Sequence, residues 1–393
     1  VLLTERMVQP MDKPTVQDIF HRFYPAYLDQ YSPSPVQAKV AHNIMNCKTG
    51  AYGANVCVCE DCGFVQIHYN SCRNRCCPMC QAVPKEMWMD ARREDVLDAP
   101  YFHLVFTVPD ILNPVIYSNQ RLLYDALYHA ASSTISELTA DPKHLGAKVG
   151  YICILHTWGS EMNFHPHIHT ILLGGGLASN NQWKDNGENF FLPIRVISKM
   201  FRGKYLEELK RLWEEDKLVF HGTAEKFRNH YTFKELLDSC YGMDWIPNCK
   251  KTFNGAQTVI KYLGKYTHRI AVSNHRTVRM DDDTVTFLVK DYRNEGQWKE
   301  LTISGVEFVR RFLMHVPPRR FVRIRHYGLL CSRTKSQKLT LCRNLLGCKK
   351  YLSKLRDMEM PEILEHLYGI KVCVCKACGG HLGKPQMRMP LRC

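Results

Sequence analysis

Long apolar runs and an apolar leader are both missing from this sequence of 393 residues. The longest apolar stretches, such as 149–155, fall well short of the roughly 18 to 20 residues that a membrane-spanning helix needs. The opening residues 1–6 do not show the basic segment followed by an apolar segment that marks a secretory signal. We therefore expect no transmembrane helix, no membrane partner and a cytoplasmic location.

Acidic residues are also scarce relative to basic ones. The chain has 38 Asp and Glu against 53 Lys and Arg, which gives a formal net charge of +15. Such an excess of positive charge favours a polyanionic partner, with nucleic acid as the leading candidate. Hydrophobic residues make up 45% of the chain, which excludes a disordered tail and predicts a folded protein of two or three domains.

Hydrophobic periodicity predicts a mixed α+β fold without internal repeats. Spacings of three and four residues indicate two short helices within 15–50, joined by a Ser-Pro turn, and further helices near 84–97, 115–138, 195–220, 256–266 and 305–314. Runs of β-forming residues indicate strands at 101–109, 149–158, 167–173, 284–289 and 300–303. We divide the chain into a helical and cysteine-rich part (1–95), a central part (96–275) with a helical insertion near 177–245, and a basic C-terminal region (276–393).

The cysteines are concentrated rather than scattered. Eight of the eighteen lie between Cys47 and Cys80, and two pairs, Cys59 with Cys62 and Cys77 with Cys80, have the spacing C-x2-C. Two such pairs can hold one tetrahedral zinc ion through four thiolates, in a closed site that serves as a scaffold. Nearby residues offer alternative ligands, namely Cys47, Cys57, Cys72, Cys76 and His68, so spacing alone leaves the ligand set open.

A second and incomplete cysteine group lies near the C-terminus. It comprises Cys373, Cys375 and Cys378 with His381, to which Cys342, Cys348 or Cys393 could add a further ligand. It predicts a second zinc site, with free thiols as the alternative. Around the first group, Arg73, Arg75 and Lys85 would suit a phosphate backbone, with an ordinary solvated surface as the alternative.

A histidine-rich hairpin is the strongest sign of catalysis. His167 and His169 are two residues apart in a predicted strand, so both imidazoles point to one face. His156 lies on the preceding strand, where hairpin pairing can bring it opposite His167. Three imidazoles that leave open coordination positions are typical of a catalytic metal site.

A predicted helix carries two tyrosines at helical spacing. Tyr262 and Tyr266 are four residues apart, so both hydroxyls project from one helix face, and phenols can act as nucleophiles. Lys261, Lys265 and Arg269 beside them could bind phosphate. By itself, such a pair is more often simple packing.

Together these motifs resemble the HUH endonuclease superfamily, and more closely the two-tyrosine rolling-circle transposases of the insertion-sequence ninety-one family. The segments that carry the resemblance are 69–81, 102–109, 156–159, 165–169, 174–176, 262–269 and 323–328. They occur in the family's order over most of the chain. One departure is Cys76, where the family usually has histidine.

The resemblance implies an HUH-type antiparallel sheet flanked by helices, which forms the nuclease and strand-transferase domain (96–275). It is preceded by a helical and zinc-ribbon domain that binds DNA (1–95) and followed by a basic DNA-binding region that can include the second zinc site (276–393). It implies that His167, His169 and a third ligand, for which we name His156, hold Mg²⁺ or Mn²⁺. Tyr262 or Tyr266 would then attack single-stranded DNA at transposon ends and target, forming a 5′-phosphotyrosine intermediate. Such an enzyme would work at the bacterial nucleoid.

Three other functions are compatible with parts of the pattern. A relaxase or replication initiator would use the same chemistry, but the zinc segment favours a transposase. A non-catalytic zinc-dependent DNA-binding protein would not need the histidines and tyrosines. A zinc hydrolase acting on small molecules would explain neither the charge nor the tyrosine pair.

The arginines and aromatic residues of 308–327 suit single-stranded nucleic acid.

Overall fold

A computed structural model describes residues 13–185, 192–245, 247–253, 259, 264, 271–291, 295–384 and 386–388. The α-helices in these ranges are α1 (Val16–Gln30), α2 (Pro35–Met45), α3 (Ala82–Arg93), α4 (Asn113–Ser118), α5 (Gln120–Ala140), α6 (Ile194–Glu214), α7 (His230–Gly242), α8 (Gly305–Met314), α9 (Lys335–Leu346) and α10 (Met360–Tyr368). Short 3₁₀ helices cover Asp110–Leu112, Gly222–Arg228 and Asn274–Arg276. The strands are β1 (Ala54–Val58), β2 (Val65–Tyr69), β3 (Tyr101–Thr107), β4 (Lys148–Trp158), β5 (Phe164–Leu177), β6 (Trp183–Asp185), β7 (Asn248–Phe253), β8 (Thr277–Met280), β9 (Thr284–Asp291), β10 (Gln297–Ser304), β11 (Ile324–Gly328) and β12 (Gln386–Arg388).

The predicted α+β class is confirmed. The two N-terminal helices begin where the sequence provides caps: the Thr15 side chain caps α1, and Ser34 followed by a proline caps α2. The helix predicted for 115–138 is two helices, α4 and α5, and the helix predicted for 195–220 ends at Glu214. The helix predicted for 256–266 lies outside the described residues, apart from Val259 and Gly264.

The central sheet is antiparallel and has the strand order β11-β4-β5-β3-β7, with β6 paired to β5. Its longest pair, β4 with β5, is the predicted hairpin, and β5 starts three residues earlier than predicted. Two three-stranded sheets, β12-β1-β2 and β10-β9-β8, accompany it. Two strands of the C-terminal region pair with strands of the other two parts of the chain, since β11 pairs with β4 and β12 with β1. The division at residues 95 and 275 stays a prediction.

The two faces of the central sheet pack against different helices. Phe102, Leu104 and Leu172 point to the face covered by α5 and α6, where the largest hydrophobic cluster lies. Within each strand, the residues at the alternate positions point to the other face. Ile154 of β4 and Ile171 of β5, for example, pack there with side chains of α3 and α9. The alternation of side chains thereby separates a wholly structural face from the face that carries the histidines.

Among the helices in the described ranges, none combines the length and apolar character required to cross a bilayer.

Candidate active site and metal centres

Three imidazoles meet at the open end of the β4–β5 hairpin. His156 is the register partner of His167, and His169 follows on the same face of β5. Each of the three has a ring nitrogen within 4.8 Å of a ring nitrogen of the others. All three are buried, with 3%, 8% and 8% of their surface exposed. The predicted convergence of His156, His167 and His169 is therefore what the fold produces.

The imidazoles are oriented as ligands. His167 Nδ1 donates to the main-chain carbonyl oxygen of His165 at 2.7 Å, which leaves its Nε2 with a free lone pair. That Nε2 lies 3.1 Å from His169 Nε2. Two nitrogens bound at right angles to one ion at about 2.1 Å would lie about 3.0 Å apart. The donor set fits a divalent cation with positions left for other ligands.

Burial keeps two of these rings, His167 and His169, neutral. Burial, with smaller contributions from the nearby His165 and His103, lowers the pKa of His167 to about 4. Burial also holds the pKa of His169 well below its ordinary value, with His156, His167 and His103 adding to the effect. A neutral imidazole is the form that binds metal, so these two ligands need no deprotonation near pH 7.

His103, which the sequence analysis overlooked, supports this cluster from a neighbouring strand. It lies on β3, is 8% exposed, and its Nε2 is 2.9 Å from His169 Nδ1. When His169 binds an ion through Nε2, its Nδ1–H donates to His103, which fixes the orientation of the ring. A polar residue in the otherwise apolar run 101–106 was the available signal.

We predict that His103→Leu weakens metal binding without removing a ligand. Loss of such a supporting partner typically lowers metal affinity by about 10- to 100-fold. Titration of the full chain with Mn²⁺, followed by calorimetry, measures the change. His129→Ala, an exposed residue of α5 on the far face of the sheet, is the matched control and should bind as the parent does. Equal affinity in His103→Leu would contradict the role of this residue.

The third imidazole, that of His156, packs against the Trp158 indole, which in turn contacts the Arg323 guanidinium. Trp158 stacks on His156 with ring centroids 4.5 Å apart, and the Arg323 guanidinium lies 5.7 Å from the Trp158 ring centre. Burial lowers the pKa of Arg323. This stack packs a residue of the basic C-terminal region against the histidine cluster.

The turn that joins β4 to β5 is held by a buried histidine. His315 is 2% exposed, and its Nε2 donates to the Met162 carbonyl oxygen at 3.0 Å. Its Nδ1 lies 3.1 Å from Thr157 Oγ1 and accepts from that hydroxyl. Burial lowers the pKa of His315 to about 4. The neutral ring satisfies both contacts.

We predict that His315 makes the protein less stable as the pH falls. Its ordinary pKa of 6.5 applies in the unfolded chain, so the unfolded state binds more protons between pH 6.5 and about 4, and protonation favours unfolding. From about pH 7.5 to about pH 5, this one group should cost about 2 kcal/mol. Urea unfolding of the parent and of His315→Gln at both pH values gives the difference. Parallel pH dependences in the two proteins would contradict the assignment.

The tyrosine segment lies largely outside the described residues, which include neither Tyr262 nor Tyr266, nor Lys261, Lys265 and Arg269. Two of its neighbours are described. Val259 is buried in the cluster that contains Ile154 and Ile171. Gly264 is buried, and its Cα lies so close to the Met89 thioether of α3, in the same cluster, that a Cβ at this position would overlap it. Val259 thus packs on the sheet face that carries His167 and His169, and Gly264 packs on α3, the helix that covers this face.

The structure corrects the grouping of the first cysteines. Cys77 and Cys80 lie with Cys47 and Cys72, whereas Cys59 and Cys62 lie at a different site. Cys47 Sγ and Cys72 Sγ are 3.3 Å and 3.5 Å from Cys80 Sγ. The end of α2 and the end of β2 provide the two additional thiols, and both were among the alternative ligands. Proximity in sequence favoured grouping Cys59 and Cys62 with Cys77 and Cys80. This grouping is wrong because Cys59 and Cys62 lie in the turn of the β1–β2 hairpin, at a distance from the other two cysteines.

The second cysteine group is also corrected. Cys375 and Cys378 gather with Cys59 and Cys62. Neither of the other two predicted ligands belongs to that cluster. Cys373 is exposed, and Cys342 is buried in the apolar cluster beneath α9. Cys76, the departure from the family pattern, is buried without belonging to either cluster, and burial raises the pKa of its thiol.

The two predicted DNA-contacting arginines differ in their contacts. Arg73 is exposed. Arg75 is exposed as well, but its guanidinium donates to the carbonyl oxygens of Phe321 at 2.6 Å and Pro318 at 3.3 Å. Arg75 thereby fixes the loop that leads to Arg323.

Comparisons with known proteins define the class. A family model described as "Transposase zinc-binding domain" matches residues 19–108, and one described as "Putative transposase" matches residues 150–338. The chain is 40% identical over 369 residues to the putative transposase y4qJ of Sinorhizobium fredii, covering 93% of each protein. It is 30% identical over 309 residues to the transposase for insertion sequence element IS801 of Pseudomonas savastanoi pv. phaseolicola, covering 77% of this chain and 72% of that protein. The protein is a transposase with a zinc-binding domain.

More narrowly, the chain belongs to the insertion-sequence ninety-one family of transposases. Among solved structures, the metal-bound conjugative relaxase TrwC in complex with oriT DNA matches at 14% identity and a TM-score of 0.24, covering 42% of this chain and 69% of that one. A TM-score of this size carries no conclusion about this chain.

Proposed function

We propose that this transposase is a metal-dependent HUH endonuclease that cleaves and rejoins single-stranded DNA through a 5′-phosphotyrosine intermediate, as in rolling-circle transposition. The observation that carries the proposal is the convergence of three buried imidazoles on one sheet face, two of which, His167 and His169, are neutral and oriented by hydrogen bonds. The packing of Val259 on that same face, and of Gly264 on the helix α3 that covers it, supports the proposal, because these residues lie on either side of Tyr262 in the sequence.

His156, His167 and His169 are the proposed ligands of Mg²⁺ or Mn²⁺. When bound, the cation would polarise the scissile phosphate and offset the charge that develops on it. Imidazole donors suit Mn²⁺ better than Mg²⁺, which prefers oxygen ligands. His103 would orient His169, and the His165 carbonyl would orient His167. Structural Zn²⁺ is proposed for Cys47, Cys72, Cys77 and Cys80.

In the proposed reaction, the hydroxyl oxygen of Tyr262 or Tyr266 attacks the phosphorus and loses its proton. The bond from phosphorus to the 3′ oxygen breaks, and that oxygen leaves as a 3′-OH after taking up a proton. The 5′ phosphate remains on the tyrosine as a diester, so a later 3′-OH can reverse the step without an external energy source. Two tyrosines allow two such exchanges, for transposon end and for target.

Two features suit a DNA strand beside this centre. A cavity of about 630 Å³ next to the hairpin turn has a lining of mixed charge, with the cations Lys290 and Lys299 and the carboxylates Asp110, Glu161 and Asp291. Lys299 pairs with Asp291 at 3.2 Å, which leaves Lys290 as the cation beside the exposed ring of Trp298. Trp298, 52% exposed, lies beside the cavity with the Lys290 ammonium 5.3 Å from its ring centre. An exposed indole flanked by cations can stack a base while the cations pair with phosphates.

A basic cavity lies between the zinc-binding domain and the loop after α8. It measures about 330 Å³, and its described lining includes four cations, Lys39, Arg75, Arg319 and Arg320, and no carboxylate. We propose that it binds the phosphate backbone, as do Arg73, Lys261, Lys265 and Arg269. Because the substrate is genomic DNA, the proposed place of action is the nucleoid in the bacterial cytoplasm.

The test uses single-stranded oligonucleotides that cover the DNA flanking the gene. The full chain is incubated with them and Mn²⁺ or Mg²⁺ and run on a denaturing gel, where we expect a metal-dependent protein–DNA band. The band should vanish in the double variant Tyr262→Phe, Tyr266→Phe and persist in Tyr231→Phe, which alters a tyrosine of α7 that is 77% exposed. Salt-sensitive binding without any covalent band would instead support the non-catalytic DNA-binding function.

A further inference from the structure

Two distant segments of the chain have the same short sequence pattern and the same backbone shape. Cys59 to Gly63 and Cys375 to Gly379 both read Cys-x2-Cys-Gly. In both, the glycine has a positive φ, +72° for Gly63 and +79° for Gly379. In both, the glycine N–H donates to the carbonyl oxygen of the first cysteine, at 3.0 Å and 2.9 Å. A side chain disfavours this left-handed conformation, so the glycine belongs to the motif.

The four sulfurs of the two segments face one another. Cys59 Sγ lies 3.5 Å from Cys378 Sγ, and Cys62 Sγ lies 3.7 Å from Cys375 Sγ. All four sulfurs are within 4.8 Å of one another. Thiolates at the corners of a tetrahedron around zinc, with bonds of about 2.3 Å, would lie about 3.8 Å apart. A disulfide would need about 2.05 Å.

Main-chain amides point at the sulfurs of the C-terminal segment. Ala377 N–H donates to Cys375 Sγ and Gly380 N–H to Cys378 Sγ, both at 3.4 Å. An N–H donor stabilises a sulfur that carries negative charge, which is the state of a zinc-bound thiolate.

The surrounding main chain joins the two segments. β1 pairs with β12, and Cys59 forms an isolated bridge with Leu382. Glu60 N–H donates to the His381 carbonyl at 3.1 Å, and Gly383 N–H donates to the Val58 carbonyl at 2.9 Å. The apolar cluster at this junction consists of only four described residues, Cys57, Cys59, Cys375 and Leu382. A core this small does not hold a fold together without a staple such as a metal.

We propose that Cys59, Cys62, Cys375 and Cys378 bind a structural Zn²⁺ of their own, separate from the ion proposed for Cys47, Cys72, Cys77 and Cys80. This ion clamps the C-terminal segment onto the β1–β2 hairpin of the zinc-binding domain, and the zinc-binding unit is thus completed by residues more than three hundred positions away. The proposal does not depend on the DNA chemistry.

Zinc counting by native mass spectrometry of the full chain tests which cysteines share an ion. Cys62→Ser and Cys378→Ser should each lose one zinc relative to the parent, and the double variant should lose the same single ion. Cys373→Ser, which alters an exposed thiol outside the cluster, should keep every ion. Full zinc content in Cys378→Ser, or loss of two ions in the double variant, would overturn the proposal.

Thiol alkylation of the unaltered protein covers the case in which these variants fail to fold. Cys62 and Cys378 are exposed and should react readily if they are free. We expect both to be protected from iodoacetamide while zinc is bound and to become reactive together on chelation, whereas Cys373 reacts throughout. Rapid alkylation of Cys378 in the zinc-loaded protein, or an intact mass that shows disulfides, would overturn the proposal.

Discussion

His169→Ala should lower the rate of metal-dependent DNA cleavage by about three orders of magnitude. The change removes the imidazole that lies closest to both His103 and His167, at 2.9 Å and 3.1 Å. Stabilisation of developing charge by a bound cation is worth several kcal/mol, and about 4 kcal/mol corresponds to about 10³ in rate. Single-turnover cleavage of a labelled single-stranded oligonucleotide in saturating Mn²⁺ measures the effect.

Two controls separate this effect from misfolding. His129→Ala, on the opposite side of the sheet, should cleave at the parent rate. His169→Ala itself should still bind the oligonucleotide with the parent's salt dependence, because the proposed phosphate contacts are those of lysines and arginines elsewhere. Parent-like cleavage in His169→Ala would show that the imidazole cluster is not the catalytic metal centre.

Cys77→Ser should cause the largest loss of stability among the cysteine changes. Cys77 is fully buried in a hydrophobic cluster with residues of α1, α2, β9 and α8. Structural zinc contributes about 10 to 16 kcal/mol in small zinc-binding peptides, which rivals the total stability of a typical domain. We expect loss of one zinc per chain and loss of the cooperative thermal unfolding of this part of the protein.

The matched control is Cys240→Ala, which alters a fully buried cysteine of α7 outside both clusters. It should keep all zinc and lose only about 1 to 2 kcal/mol, as an ordinary core substitution does. If chelation left the melting of the parent unchanged, zinc would not be the element that stabilises the N-terminal part.

Local patterns in the sequence predicted the histidine site well. The period of two along β5 fixes the common face of His167 and His169, and a short hairpin turn limits which residue of β4 can lie opposite. Both constraints act over fewer than about fifteen residues, so they can be read from the sequence. The caps of α1 and α2 are local in the same sense.

Contacts between distant segments could not be predicted in this way. His103 reaches His169 from a strand that is 66 positions away in the chain. Cys62 meets Cys375 across 313 positions. Four cysteines close in sequence suggested one site, whereas hairpin folding separates them and returns a C-terminal segment to one pair. A glycine that follows two of the three Cys-x2-Cys pairs was the overlooked signal, since Cys62 and Cys378 are each followed by a glycine whereas Cys80 is followed by Gln81.

Mapping the DNA adduct tests the central claim most directly. Trypsin cuts after Lys261, Lys265 and Arg269, so it places Tyr262 in the peptide 262–265 and Tyr266 in the peptide 266–269. After reaction with a single-stranded oligonucleotide in Mn²⁺, tandem mass spectrometry should find a 5′-phosphorylated nucleotide on one or both of these peptides. Cleavage that leaves a free 5′ phosphate and no modified tyrosine, or an adduct on another residue, would contradict the account.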